Sequence, residues 1–142
     1  TPQIVSYLTR NNAKFQSPFF HEPEQVISKE TADEMKRMLI KTVQEGTGRS
    51  ARIEGLEIGG KTGTAQIAGG TGYLKKYISS FVGFVNDDKG NSYTIGVTVI
   101  NPNPIRPHYY AAQSAVPVFK EIIQNLIKLN YLSPKEDINL EN

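Results

Sequence analysis

Two runs decide the fold, Tyr77-Ile-Ser-Ser-Phe-Val-Gly-Phe-Val85 and Tyr93-Thr-Ile-Gly-Val-Thr-Val-Ile100, separated by Asn86-Asp-Asp-Lys-Gly-Asn91. Both are rich in β-branched and aromatic residues, and the segment between them is made of turn formers, so the stretch reads as a β-hairpin. In the second run Tyr93, Ile95, Val97 and Val99 alternate with Thr94, Gly96 and Thr98. One face is far more apolar than the other and requires a cover. The cover follows in sequence. Phe119, Ile122, Ile123, Leu126 and Ile127 recur at helical spacing, with Lys120, Glu121, Gln124, Asn125 and Lys128 on the opposite side. Ser114 is placed to cap this helix, and Pro117 falls in its first turn, where a missing N–H costs little.

Upstream of the hairpin, short apolar stretches from Ile53 to Ile67 are divided by Gly55, Gly59, Gly60 and Gly63, the pattern of a strand with close backbone approaches. Gly69-Gly-Thr-Gly72 reads as a flexible loop. The sequence therefore predicts an α/β (α+β) domain: an antiparallel sheet of about three strands near 56–67, 77–86 and 92–101, covered by a helix at 114–129. Ala32, Met35, Met38, Leu39, Thr42 and Val43 predict a further helix over about 29–44, capped by Ser28 and favoured by Glu30 in its first turn. Gly46-Thr-Gly48 should end it through a left-handed glycine cap. Residues 1–27, interrupted by Pro2, Pro18 and Pro23, read as an irregular or short-stranded lead-in, and 133–142 as a frayed polar tail. No internal repeat or long linker divides the chain, so one domain is expected.

The 142 residues carry 16 Lys and Arg against 14 Asp and Glu, a net charge of +2 without any basic block. That balance argues against a nucleic-acid partner or a polybasic membrane surface. No cysteine is present, which removes disulfides, thiolate metal sites and cysteine nucleophiles. His21 and His108 lie far apart, without metal-ligand spacing, so neither a metal nor a cofactor is expected. No stretch of about 18 apolar residues or signal peptide is found. The chain opens on Thr1-Pro2 without Met and reads as a piece of a longer protein.

Three short motifs remain. Gly55-Leu-Glu-Ile-Gly-Gly-Lys61-Thr62 matches the phosphate-loop pattern, which would imply a nucleotide-binding module. Its context fails: a charged segment precedes it, and Gly63 follows where a helix should begin. Gly46-Thr-Gly48-Arg-Ser-Ala51 matches a dinucleotide fingerprint but follows a helix instead of a strand. The third, Lys61-Thr-Gly-Thr64-Ala-Gln66, lies on a predicted strand after Gly59-Gly60, with two strands and a covering helix to follow, as in the third motif of active-serine penicillin-recognising enzymes.

From Ile27 to Glu121 the chain resembles the C-terminal half of the transpeptidase domain of class B penicillin-binding proteins. The resemblance is carried by Val26-Ile-Ser-Lys-Glu-Thr-Ala32, Thr42-Val-Gln-Glu-Gly-Thr-Gly48, Gly59-Gly-Lys-Thr-Gly-Thr-Ala-Gln-Ile67, Gly72-Tyr-Leu74, Phe81-Val-Gly-Phe84, Tyr109-Tyr110 and Ala115-Val-Pro-Val-Phe-Lys-Glu-Ile122. It covers about two-thirds of the chain and leans toward the septal type. It implies a D,D-transpeptidase of the penicillin-binding and β-lactamase-like fold, cross-linking peptidoglycan stem peptides through an acyl-serine and trapped by β-lactams. Thr62 and Thr64 would donate to the terminal carboxylate of D-Ala-D-Ala, Lys61 would supply positive potential there, Gly63 would leave room for the substrate, and the Thr64 N–H would form half of an oxyanion hole. Tyr73 is a candidate lining residue, weighed evenly against a plain loop aromatic. Arg49, Arg52 and His108 read as surface residues. The implied partners are the N-terminal half of the same domain and the cell-division or elongation machinery, outside the cytoplasmic membrane.

The family's nucleophile motif S-x-x-K and its S-x-N motif are both absent, since Ser28, Ser79 and Ser114 lead into other residues. This chain alone should be inactive. A serine β-lactamase or β-lactam sensor fragment shares Lys-Thr-Gly and is the near alternative, and a non-catalytic interaction domain is a further one. An edge of the sheet should be left for strands from elsewhere, with a swapped or oligomeric pairing to protect it.

Overall fold

The computed structural model describes residues 7–16, 24–70, 72–102 and 110–135. The readings of His21, His108 and Tyr109 lie outside them. The chain separates into two compact units, Thr1–Ala32 and Asp33–Asn142. Within the first, strands β1 (Tyr7–Arg10) and β2 (Ala13–Gln16) form an antiparallel hairpin. Its turn is Asn11-Asn12, both at positive φ (49° and 62°), a conformation that asparagine tolerates because its short side chain bonds locally. Of the two readings of this lead-in, the short-stranded one holds for these residues.

Helix α1 spans Lys29–Gln44, the predicted range. Ser28 caps it, its Oγ accepting the Thr31 N–H at 3.2 Å. The predicted left-handed glycine cap at its other end is not formed, since neither Gly46 nor Gly48 has a positive φ. Instead, Gly46 and Gly48 both donate their N–H groups to the Thr42 carbonyl, at 3.0 and 3.1 Å. Gly48 serves a packing purpose: a Cβ there would sit 3.2 Å from Val43 Cγ2 and 3.3 Å from Phe81 Cε2.

The main sheet has the order β3 (Glu57–Gly69), β4 (Gly72–Asn86), β5 (Ser92–Ile100), all antiparallel. The predicted flexible loop at 69–72 is bracketed by a strand pair, Gly69 with Gly72; Thr71 lies outside the described residues. The strands persist because Gln66 Nε2 bonds the Leu74 carbonyl at 2.8 Å across a register shift between Gln66 and Ala68, so β4 begins five residues before the expected Tyr77.

Period two sorts the sheet into faces. Ser79, Phe81 and Val85 of β4, Val97 of β5 and Ile58 of β3 are buried on one face. Helix α2 (Ala115–Lys128) covers it, burying Val116, Phe119 and Ile123. Phe81 and Phe119 meet edge-on, with ring centroids 4.7 Å apart and planes at 73°. Ser114 does not cap α2 through its side chain, as predicted, but donates to the Tyr110 carbonyl at 3.0 Å, behind the short 3-10 turn Ala111–Gln113. Nor are the first residues of the predicted frayed tail loose. Leu132 is buried, the Ser133 N–H is held by Asp87 Oδ2 at 3.0 Å, and the Lys135 N–H by the Gly55 carbonyl at 2.9 Å. Residues 136–142 lie outside the described ones. None of the helices described is long and apolar enough to cross a membrane.

Candidate functional site

Lys61, Thr62, Gly63 and Thr64 occupy the middle of β3, the outer strand of the described sheet, opposite Val82, Phe81, Ser80 and Ser79. This position also disposes of the phosphate-loop reading, because Lys61 and Thr62 lie within a strand and not at a helix N-terminus.

What happens along the outer edge of β3 depends on position. At its start, α1 crosses the edge. Lys36 Nζ pairs with Glu57 Oε1 at 2.6 Å, Ile40 packs over Gly59, and the Thr42 hydroxyl donates to the Gly60 carbonyl. The Gly60 carbonyl therefore points away from β4. In an antiparallel strand the N–H and C=O of every second residue point the same way, so those of Thr62 and Thr64 also face outward. The Thr62 carbonyl takes Lys61 Nζ at 2.9 Å. Outside the strand ladder, no backbone group among the described residues takes the Thr64 N–H.

Side chains alternate across the strand, and this divides the predicted site. Thr62 and Thr64 lie on the α2 side. The Thr62 hydroxyl shares a 2.8 Å hydrogen bond with that of Thr47, and Thr64 Oγ1 accepts the Ala111 N–H at 3.3 Å. Lys61 and Gly63 project from the opposite face, and the Lys61 side chain reaches the edge by folding over it to the Thr62 carbonyl. A Cβ on Gly63 would meet nothing within 4 Å. Tyr73 stays apart: it is 74% exposed near the hairpin tip, opposite Ala68, four residues or roughly 13 Å along β3 from Thr64. The structure thus brings Lys61, Thr62, Gly63 and Thr64 to one edge and leaves Tyr73 outside.

Thr47 and Ala111 join the site without having been foreseen. Thr47 had been absorbed into a helix-end turn, and Ala111 carries no polar side chain to draw notice. Their contacts span 15 and 47 residues in sequence and come from tertiary packing.

Charge agrees with the placement. From Ile58 to Asn86 the only ionisable acid or base side chains of Lys, Arg, Asp and Glu are Lys61, Lys75 and Lys76, so the β3–β4 arm is purely cationic. A cleft of about 830 Å3 lies at the other end of β3 beside Glu54, Glu57, Asp87 and Asp88. An anion is drawn to the first place and repelled from the second. In that second region the Lys36 bond holds the Glu57 carboxyl below the usual carboxylate range, aided by Asn86, while partial burial opposes the shift. No group of three or more potential metal ligands occurs among the described residues.

Known proteins bear on this arrangement. The model of the penicillin binding protein transpeptidase domain matches residues 1–124. Stage V sporulation protein D of Bacillus subtilis is 42% identical over 107 residues, covering 72% of this chain and 16% of that protein. The peptidoglycan D,D-transpeptidase FtsI of Buchnera aphidicola is 30% identical over 132 residues, covering 92% of this chain and 22% of that protein. Among solved structures, the transpeptidase domain of Burkholderia pseudomallei penicillin-binding protein 3 superposes with a TM-score of 0.65 at 30% identity, over 91% of this chain and 37% of that one. The chain spans about a fifth of the curated relatives' length and just over a third of the solved domain. With the family model matching residues 1–124 and a relative 30% identical over 92% of its length, the chain belongs to the penicillin-binding protein transpeptidase family.

Proposed function

We propose that this chain supplies the carboxylate-binding wall and half of the oxyanion hole of a peptidoglycan D,D-transpeptidase active site, completed by the N-terminal half of the same transpeptidase domain. The observation that carries the reading is the edge of β3 at Thr62–Thr64. There an outward N–H and two hydroxyls stand beside a lysine, just past the point where α1 stops covering the strand.

The chemistry follows from what each group can do. A serine oxygen attacks the carbonyl of the penultimate D-Ala, and negative charge grows on the carbonyl oxygen. The outward Thr64 N–H is a preorganised donor for that charge, a kind of interaction worth about 3–4 kcal/mol when removed from other enzymes. The C–N bond then breaks, the terminal D-Ala leaves as the protonated amine, and the acyl group stays on the serine. The amine of a second stem peptide attacks this ester, forming the cross-link and freeing the serine. A β-lactam follows the first half of this course, except that its leaving nitrogen remains tethered. The Thr62 and Thr64 hydroxyls bind the substrate's terminal carboxylate, and Lys61 adds positive potential at the same edge. Gly63 keeps the adjoining space clear for an extended peptide.

No serine in the sequence has a lysine three residues on, so the nucleophile comes from the other half of the domain. The complete enzyme works on the outer side of the cytoplasmic membrane, where its substrate lies, in concert with the division or elongation machinery. Labelling by a fluorescent penicillin tests the assignment. The full-length protein should be labelled covalently at one serine and the isolated chain not at all. A stoichiometric adduct on the isolated chain, or an unlabelled full-length protein, would overturn it.

A further inference from the structure

We infer that Thr47 is a positioning residue, which together with the backbone N–H of Ala111 sets both threonine hydroxyls of the β3 edge as donors toward a single anion; this rests on the carboxylate-binding reading above. A hydroxyl has one proton and can both donate and accept, so its neighbours decide which role faces a ligand. The Ala111 N–H can only donate. Its 3.3 Å contact with Thr64 Oγ1 occupies that oxygen as an acceptor and leaves the Thr64 proton for another group. The Thr47 and Thr62 hydroxyls lie 2.8 Å apart, and either can donate to the other. Once an anion takes the Thr62 proton, Thr62 Oγ1 is left to accept from the Thr47 hydroxyl. Each threonine then has its oxygen covered from behind and its proton free in front.

The spacing suits one carboxylate. Thr62 and Thr64 are two residues apart on the same face, about 6.7 Å along the strand, a span that a carboxylate bridges with one short hydroxyl bond of roughly 2.6 Å to each oxygen. Thr47 stands outside the strand, in the connection between α1 and the 3-10 turn Arg49–Ala51, and is exposed. Its side chain can therefore be changed without opening the core.

The test uses the full-length protein and compares acylation by benzylpenicillin with acylation by its methyl ester, which lacks the carboxylate charge. The ratio of the two rates within one variant does not depend on the fraction folded. Thr47→Val should lower the acid-to-ester ratio about threefold to tenfold, the range for one misdirected hydroxyl. The ester rate should stay unchanged and Thr47→Ser should restore the ratio. An unchanged ratio in Thr47→Val alongside a reduced one in Thr62→Ala overturns the role of Thr47 alone, as does an equal slowing of both reagents. If Thr62→Ala and Thr64→Ala also leave the ratio intact, the carboxylate-binding reading falls with it.

Discussion

Gly63→Ala tests whether a ligand, and not the fold, requires a glycine in the middle of β3. A Cβ at residue 63 would meet nothing within 4 Å, and Gly63 is not among the glycines held at positive φ, which are Gly55, Gly72 and Gly90. Alanine therefore fits, and by narrowing the unfolded ensemble it should stabilise the protein by about 0.4–1 kcal/mol. Gly60, three residues earlier, provides the contrast. A Cβ there would lie 2.4 Å from Phe81 Cζ and 2.9 Å from the Val82 carbonyl oxygen, and Phe81 is fully buried. Gly60→Ala must displace that ring, an overpacking cost of about 1–3 kcal/mol. The same added methyl thus acts in opposite directions at two places on one strand. If an extended peptide lies against the edge at Gly63, the methyl occupies its space and disrupts one or two hydrogen bonds, slowing acylation by about tenfold to a hundredfold. Thermal melting of the ligand-free full-length protein and the rate of penicillin acylation by intact mass read the two effects separately. Acylation of Gly63→Ala at the wild-type rate would refute the placement of substrate along this edge. A lowered melting temperature in that variant would refute the open space itself.

Lys61→Ala removes an exposed side chain whose one bond here is to the neighbouring carbonyl, so unfolding should shift by less than about 0.5 kcal/mol while penicillin acylation falls by about tenfold to a hundredfold; calorimetry and intact mass check both. Thr64→Val keeps the outward N–H but leaves the Ala111 N–H without its acceptor, so it should lower stability by about 1–3 kcal/mol as well as slow acylation, whereas Thr64→Ser should preserve both, as urea unfolding and acylation kinetics will report. Asp87 is held below the usual carboxylate range chiefly by the Asn91 side-chain amide, with the N–H groups of Asn91, Ser133 and Lys89 assisting. Because its folded value lies below the unfolded one, it stabilises the protein above about pH 4 and loses that contribution as pH falls through the folded value. Asp87→Asn should accordingly lower the urea midpoint at pH 7, and the gap to wild type should narrow as pH falls below about 4.

Sequence periodicity revealed most of the fold because the central strands and α2 each bury one face. Val97, Phe119 and Ile123 fell on the faces that the alternating and helical patterns assigned them. The errors cluster where a tertiary partner decides the local structure. Gly48 looked like a helix cap, but it is glycine because Val43 and Phe81 close over it. Ser133 and Lys135 looked like loose tail because their partners, Asp87 and Gly55, lie 46 and 80 residues away. The glycine-rich segment at 69–72 looked flexible because nothing local announces the Gln66–Leu74 bond that extends the hairpin. For the site, Lys61 to Thr64 were legible as a motif, but their division between two faces follows only once the strand's register and covering helix are known. Thr47 was invisible as a site residue because a lone hydroxyl in a turn has many uses.

The two halves of β3 show how one strand can be both wall and opening. In the first half glycines are filled in by neighbours: Phe84 and Ile40 crowd Gly59, Phe81 crowds Gly60, and Thr42 satisfies the carbonyl that the edge would otherwise expose. An edge strand left bare along its whole length would invite pairing with another chain, and α1 prevents this over the first four residues. In the second half the covering stops: a Cβ on Gly63 would meet nothing within 4 Å, and outside the strand ladder no backbone group among the described residues takes the outward N–H of Thr64. Because backbone polar groups are otherwise satisfied so consistently, and no buried side-chain polar atom among the described residues lacks a partner, the unsatisfied stretch is selective and not a sign of poor packing. It begins one residue past the Thr42 contact and coincides with the Lys61–Thr64 motif. The boundary is therefore set by α1: lengthening or shifting that helix would close the edge.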